Sequence, residues 1–140
     1  MVKPQNLKDS AGKHSPHLYN QTFSMESSYQ LKLSARQQEL LNQGISTGLL
    51  TEVIAEHADQ IGYMLQAYYP REKVSKVTLI PESIVLKDPE AAILTLEYLM
   101  EEFSACSAID TEQKDKMTVT VNADPAAGML NLKGETWPEL

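Results

Sequence analysis

Apolar and polar positions along the chain follow two patterns, one typical of helices and one typical of strands. Ser34 and Gln37 have the spacing of a capping box, which predicts a helix over residues 35–43 that ends at Gly44. A longer helix is predicted over residues 48–69, before Pro70. Its main face recurs every three or four residues and consists of Leu50, Ile54, His57, Ile61, Met64 and Tyr68.

A third helix is predicted to begin at Asp88-Pro89, because aspartate is a favoured N-cap and proline a favoured first helical residue. One apolar strip on this helix contains Ile93, Leu96, Leu99, Met100, Phe103 and Cys106. A second strip, on nearly the opposite side, contains Leu94, Tyr98, Ala105 and Ile109. A helix that is apolar on two sides is either buried between layers or covered by a partner. Leu94, Tyr98 and Ile109 are therefore candidate partner-binding residues.

Strands are predicted in three places. KVTLIPESIVL, residues 76–86, is rich in β-branched residues and is bent or moved to a sheet edge by Pro81. Residues 117–121 and 129–133 alternate with period two on either side of the turn-rich NADPAAG, which predicts a β-hairpin. The expected fold is α+β, with a small, mostly antiparallel sheet of three to four strands packed by two to three helices in the order α-α-β-α-β-β.

The domain organisation follows from the same patterns. Residues 25–140 are expected to form a single domain, since this length buries a core without disulfides or a structural metal. Residues 1–24 have no apolar period and are expected to form a flexible N-terminal arm. They contain three lysines and one aspartate, so the rest of the chain is more acidic than the formal net charge of −7 suggests.

Charge and composition exclude several classes of partner. A net charge of −7 with a pI near 4.9 disfavours binding to nucleic acid or anionic lipid, because both need clustered lysine and arginine. No apolar run reaches the roughly 18 to 20 residues that span a bilayer. Cys106 is the one cysteine, and the N-terminus has no secretory apolar segment, so a cytoplasmic location is expected.

His57 is the titratable residue on the apolar face of the second helix. Its neighbours on that face are Val53, Ile54, Gln60 and Ile61, none of which is a carboxylate. The chain has no H-E-x-x-H, G-x-S-x-G or C-x-x-C motif. We therefore expect a packed histidine, with no catalytic residue, metal site or cofactor, and keep His57, Tyr63 and Tyr68 as candidate polar groups of a pocket.

One segment resembles a known family. VLKDPEAAILTLEYLMEEF followed by DKMTVTV is similar to the opening helix and strand of the histidine-kinase-type ATP-binding domain. Glu101 stands where that family has the asparagine that helps to hold magnesium. The resemblance covers a small part of the chain and implies a phosphotransfer role for His57.

Two classes of function follow. The preferred hypothesis is a small acidic protein-interaction or regulatory module, such as an adaptor, inhibitor, antitoxin-like or chaperone-like subunit. It would act through an apolar helix face on a protein partner, in a homodimer, or both. The alternative is a small-molecule-binding domain or minor enzyme with a pocket around His57, including a degenerate histidine-phosphotransfer-like protein.

Overall fold

The computed structural model describes residues 24–102 and 111–138. This part of the chain contains three α-helices and eight β-strands. The helices are α1 (Ala35–Leu41), α2 (Thr47–Glu56) and α3 (Ala58–Gln66). The strands are β1 (Ser24–Met25), β2 (Ser28–Lys32), β3 (Glu72–Leu79), β4 (Val85–Asp88), β5 (Ala91–Glu102), β6 (Thr111–Asp124), β7 (Met129–Lys133) and β8 (Trp137–Pro138).

Six of the described strands form one antiparallel sheet, which we call the main sheet. Its order is β2-β7-β6-β5-β3, and β4 pairs with β5 along the same edge as β3. Between β3 and β4 the chain makes a single 3₁₀ turn at Pro81–Ser83, where the Ser83 hydroxyl accepts a hydrogen bond from the Thr95 amide at 2.8 Å. Because α3 contacts both β2 and β3, the sheet curls around this helix. β1 and β8 pair with each other in a separate two-stranded sheet.

The core lies between the inner face of the main sheet and the three helices. On β5 every second residue is buried, which are Ala92, Leu94, Leu96, Tyr98 and Met100. Facing them are Leu49, Leu50, Val53 and Ile54 of α2 and Ile61, Met64 and Leu65 of α3. This arrangement leaves the other face of the sheet, with Lys114, Lys116 and Thr118 of β6, exposed.

The predicted fold is wrong in the number and order of its strands and in its third helix. Residues 91–102 form the central strand β5, not a helix. Asp88 does not cap a helix but closes the β4–β5 hairpin, where its Oδ1 accepts the Glu90 amide at 2.7 Å. Apolar residues in this segment fit both a period of two and a period of three to four. Pairing with β6 on one side and with β3 and β4 on the other stabilises the strand.

The predicted long helix over residues 48–69 is two helices. The chain leaves helical geometry at His57, whose φ of −110° and ψ of 21° separate α2 from α3. Helical hydrogen bonds of the backbone continue across the break. The His57 amide donates to Val53 O at 3.0 Å, and the Ile61 amide donates to His57 O at 2.9 Å. The apolar face therefore stays continuous although the helix axis is interrupted.

Two local predictions are confirmed. Ser34 and Gln37 form the capping box at the start of α1, with both reciprocal hydrogen bonds present. The hairpin is formed by β6 and β7, and its turn uses Gly128 at a φ of 70°, a conformation that favours glycine. Gln37 has a second role, because its Nε2 donates to Glu52 at 2.7 Å and to Glu56 at 3.0 Å and so holds α1 against α2.

A cluster of aromatic side chains fixes the segment that follows α3. Tyr68 and Tyr69 pack on Trp137 with ring centroids 4.9 Å and 5.5 Å apart. The Tyr68 hydroxyl accepts the Ser27 amide at 2.9 Å and donates to Glu135 O at 2.6 Å. The C-terminal end of α3 is therefore fixed against β8 and the chain before β2, which sets the position of β3.

Parts of the sequence predictions lie outside the described residues. The expected arm at residues 1–24 lies outside them, except for Ser24, which begins β1. Cys106 and Ile109 also lie outside the described residues. None of the described helices is long and apolar enough to cross a membrane.

Candidate functional site: the groove between α3 and β3

A groove of about 330 Å³ runs between one face of α3 and the edge strand β3. The helix side is formed by Ala58, Asp59, Gly62, Tyr63 and Gln66, and the strand side by residues 73–77. Gly62 and Ala58 are small, and a Cβ added at Gly62 would meet Val77 Cγ2 at an ordinary 3.7 Å. Because these side chains are small, the space between this face of α3 and β3 stays open and forms the groove.

A β-bulge shapes the strand side of the groove. The register of β3 against β5 shifts between Ser75 and Thr78, and Lys76 within the shift has a φ of 53°. The extra residue lets Val74 and Val77, three positions apart, both point into the core. A positive φ costs a non-glycine residue about 1 kcal/mol or more, and such strain is often found at functional sites. The bulge leaves the Lys76 side chain exposed beside the groove.

Gln66 closes the upstream part of the β3 edge. Its Oε1 accepts the Val74 amide at 2.9 Å, and its Nε2 donates to Tyr69 O at 2.8 Å and to Glu72 O at 2.6 Å. The outward-facing backbone groups of Glu72 and Val74 on this edge strand are therefore satisfied within the chain. Together with the bulge and the two lysines of β3, this protects the edge from pairing with a further strand.

The exposed chemistry of the groove comes from one aromatic ring and three charged side chains. Tyr63 is 77% exposed, although a residue this large is usually more buried. Lys73 and Lys76 are exposed on the strand side, opposite Asp59 of α3. Among the described residues neither lysine has an ion-pair partner, whereas Arg36 and Lys133 pair with glutamates. The groove is therefore net positive in a chain of net charge −7.

The three pocket residues that the sequence suggested lie in different surroundings. Tyr63 lines the groove, but Tyr68 is 1% exposed and belongs to the aromatic cluster. His57 is half-buried at the break between α2 and α3, where its Nδ1 lies 3.5 Å from the Tyr29 hydroxyl of β2. The rings of His57 and Tyr29 lie 6.1 Å apart between centroids, so His57 faces β2, at the edge of the main sheet opposite β3.

Two of the predicted partner-binding residues belong to the core. Leu94 is 0% and Tyr98 1% exposed, and both point from β5 toward the helices. The helix with two apolar faces, on which that prediction depended, is a strand, and both residues lie on its inner side. The same correction removes the structural basis of the resemblance to the histidine-kinase-type ATP-binding domain, because its opening helix corresponds to β5.

Tyr98 instead takes part in a buried hydrogen-bonded network. Its hydroxyl lies 2.6 Å from that of Tyr69, which donates to Asp115 Oδ2 at 3.0 Å. A hydroxyl has one proton to donate, so Tyr98 donates to Tyr69. Burial raises the pKa of both phenols well above the ordinary value of 10.0, and both stay neutral donors at physiological pH. The network holds the start of β3 to β5 and β6.

Sequence reasoning missed the lysines and the glycine of the groove. Lys73 and Lys76 belong to the strand that the pattern predicted only from residue 76, and Gly62 lies on the polar side of the predicted helix. One local signal was present, since a glycine inside a helix costs up to about 1 kcal/mol relative to alanine and so marks its position. The second wall of the groove, however, depends on the pairing of β3 with β5, which no local pattern specifies.

In the described part of the chain, no three His, Cys, Asp or Glu side chains lie close enough together to hold a metal ion. The chain matches no known protein family, and neither a curated protein nor a solved structure is significantly similar to it.

Proposed function

We propose that the protein is an interaction module that binds a segment of a partner protein in the groove between α3 and β3. The observation that carries the proposal is that an exposed tyrosine and two lysines without ion-pair partners among the described residues border one groove. Tyrosine is enriched at protein interfaces, where a rigid amphipathic ring gives much contact area for little loss of conformational entropy.

The dimensions of the groove favour a protein segment over a small molecule. A volume of about 330 Å³ is at the lower end of the range for ligand pockets, which bury most of their ligand. Tyr63, which forms one wall, is itself 77% exposed, so a small ligand would keep much of its surface in water. A polypeptide segment would continue beyond the groove and gain contact outside it.

Recognition in this proposal depends on side chains and not on strand addition. Gln66 already occupies the outward-facing groups of Glu72 and Val74, and the bulge at Lys76 disrupts the edge beyond them. We therefore expect Tyr63 and the two lysines to supply most of the contacts. We further propose that the protein is cytoplasmic, as the sequence predicts, and that its partner is a different protein.

The proposal is tested by selecting binders from a library of random short peptides displayed on phage, with the full chain as target. We expect selected peptides to lose about tenfold in affinity on Tyr63→Ala, the loss typical of a central interface aromatic. Gly62→Leu should abolish binding because the introduced leucine side chain would fill the groove. Fluorescence anisotropy with labelled peptides measures both effects.

Val85→Ala provides the matched control, because Val85 is also exposed, at 52%, but lies on β4. It should bind the selected peptides as tightly as the parent protein, and circular dichroism should give all three variants the parent spectrum. A library that yields no binder, or binders indifferent to Tyr63→Ala and Gly62→Leu, would contradict the proposal. Self-association of the free protein that Tyr63→Ala abolishes would identify the occupant as a second copy of the chain.

A further inference from the structure

We infer that the segment bound by the groove is acidic, and that Lys73 and Lys76 determine this preference. The inference rests on the proposed function and adds the chemistry of the partner. Lys73 and Lys76 are the positively charged side chains that line the groove, and Asp59 is the negatively charged one. Within a chain of net charge −7, this is a local reversal of sign.

The two lysines are exposed at the groove, where an incoming carboxylate would meet them. Lys73 is in register with Glu101 of β5, and Lys76 lines a smaller depression of about 240 Å³ with Glu97 and Lys114. None of these carboxylates comes within ion-pairing distance of either lysine in the described structure. Within residues 24–102 and 111–138, no carboxylate would have to release either ammonium group before a partner could bind it.

The backbone at Lys76 is the second observation. A lysine in the left-handed conformation is less stable than a glycine would be at the same place, by about 1 kcal/mol or more. This local strain is a second reason to assign the Lys76 side chain a functional role. The bulge turns it away from the regular alternation of β3 and into the lining of the groove.

A short acidic segment fits the charge distribution better than a nucleic acid does. Binding to a phosphate backbone gains its affinity from many basic side chains acting together, and the long-range field of an acidic protein repels an extended polyanion. Two lysines in an otherwise acidic surface suit a ligand with two or three negative charges. A polypeptide of a few residues with two or three carboxylates provides such a charge.

The test uses two labelled peptides of about six residues, the length of an average strand. In one, glutamate alternates with valine, and in the other glutamine replaces each glutamate. The glutamate peptide should bind the parent protein more tightly and lose affinity as sodium chloride is added. Lys73→Gln and Lys76→Gln should each weaken it about threefold, and the double variant about tenfold. None of these changes should affect the glutamine peptide.

Lys32→Gln is the matched control, since Lys32 is exposed on β2 at the opposite edge of the main sheet. This substitution should leave the affinity for both peptides unchanged.

Equal affinity for the two peptides, abolished by Gly62→Leu, would overturn the acidic preference but leave the proposed function standing. The acidic preference would also be overturned if display-selected peptides bound the protein and the glutamate peptide did not. If both peptides bound and Gly62→Leu did not weaken their binding, the proposed function itself would be contradicted. A short oligothymidylate bound more tightly than the glutamate peptide, through the same lysines, would replace the acidic segment by a nucleic acid.

Discussion

Tyr98→Glu is expected to unfold the protein. Tyr98 is 1% exposed on the inner face of β5, in register with Asp115 and bonded to the Tyr69 hydroxyl. A glutamate there would bury a carboxylate beside the half-buried Asp115 and remove the ring that packs on Tyr69. The cost of several kcal/mol is comparable to the whole free energy of unfolding of a small domain, about 5 to 15 kcal/mol. Far-UV circular dichroism and binding of an apolar dye measure the outcome.

Tyr98→Phe is the control, because it keeps the ring and removes only the hydroxyl. Tyr69 still donates to Asp115 in this variant, so the expected loss is about 1 kcal/mol. If Tyr98→Glu stayed folded with a melting temperature near that of the parent, the side chain would have to lie on the surface. Such a result would favour the helix that the sequence pattern predicts and would contradict β5 as the central strand.

Gly134→Ala is expected to destabilise the protein by about 2 to 4 kcal/mol. A Cβ at this position would lie 2.6 Å from Tyr68 Oη and 3.0 Å from Met117 Sδ. Tyr68 would have to move, and its bonds to the Ser27 amide and to Glu135 O would break or lengthen. Chemical denaturation measures the loss as a lower midpoint with an unchanged slope.

The same substitution at Gly62 is the matched control. Its added Cβ meets Val77 Cγ2 at 3.7 Å inside a helix, where alanine is favoured over glycine by up to about 1 kcal/mol. Gly62→Ala should therefore leave stability unchanged or raise it. Adding Tyr68→Phe to Gly134→Ala removes the oxygen in the closest contact and should recover part of the loss. A Gly134→Ala variant as stable as the parent would show that the aromatic cluster packs differently.

Features set by a few neighbouring residues are the part of the structure that the sequence predicts well. The capping box of Ser34 and Gln37 and the turn at Gly128 need no information from distant parts of the chain. The face of α2 and α3 is likewise recognisable, because its burial repeats every three or four residues whether or not the helix breaks at His57. In each case the local pattern fits one conformation much better than any other.

The segment 91–102 shows where local reasoning fails. Leucine, methionine, alanine and glutamate there have high helix propensity, and Asp88-Pro89 has the form of a helix start. The strand is stabilised instead by pairing on both sides, with β6 along its whole length and with β3 and β4 on the other edge. Tertiary pairing overrides propensity in a central strand, and that pairing has no signature within the segment itself.

The candidate site could be predicted only in part for the same reason. The sequence suggests Tyr63 as a candidate polar group of a pocket, and Tyr63 lines the groove, but the other candidates, His57 and Tyr68, lie elsewhere. Lys73 and Lys76 join it because β3 returns alongside α3 and bulges there. A bulge depends on the register with the neighbouring strand, so it follows from the sheet and not from the sequence of β3 alone.

The groove between α3 and β3 is tested most directly as a binding site by an amide chemical-shift map of the isotope-labelled protein with a display-selected peptide. We expect shifts concentrated at Gly62 and Tyr63 of α3 and at Lys73 and Lys76 of β3, with the amides of β2 and β4 unchanged. Shifts concentrated instead on β4, or on the exposed face of the main sheet at Lys116 and Thr118, with α3 and β3 undisturbed, would contradict it.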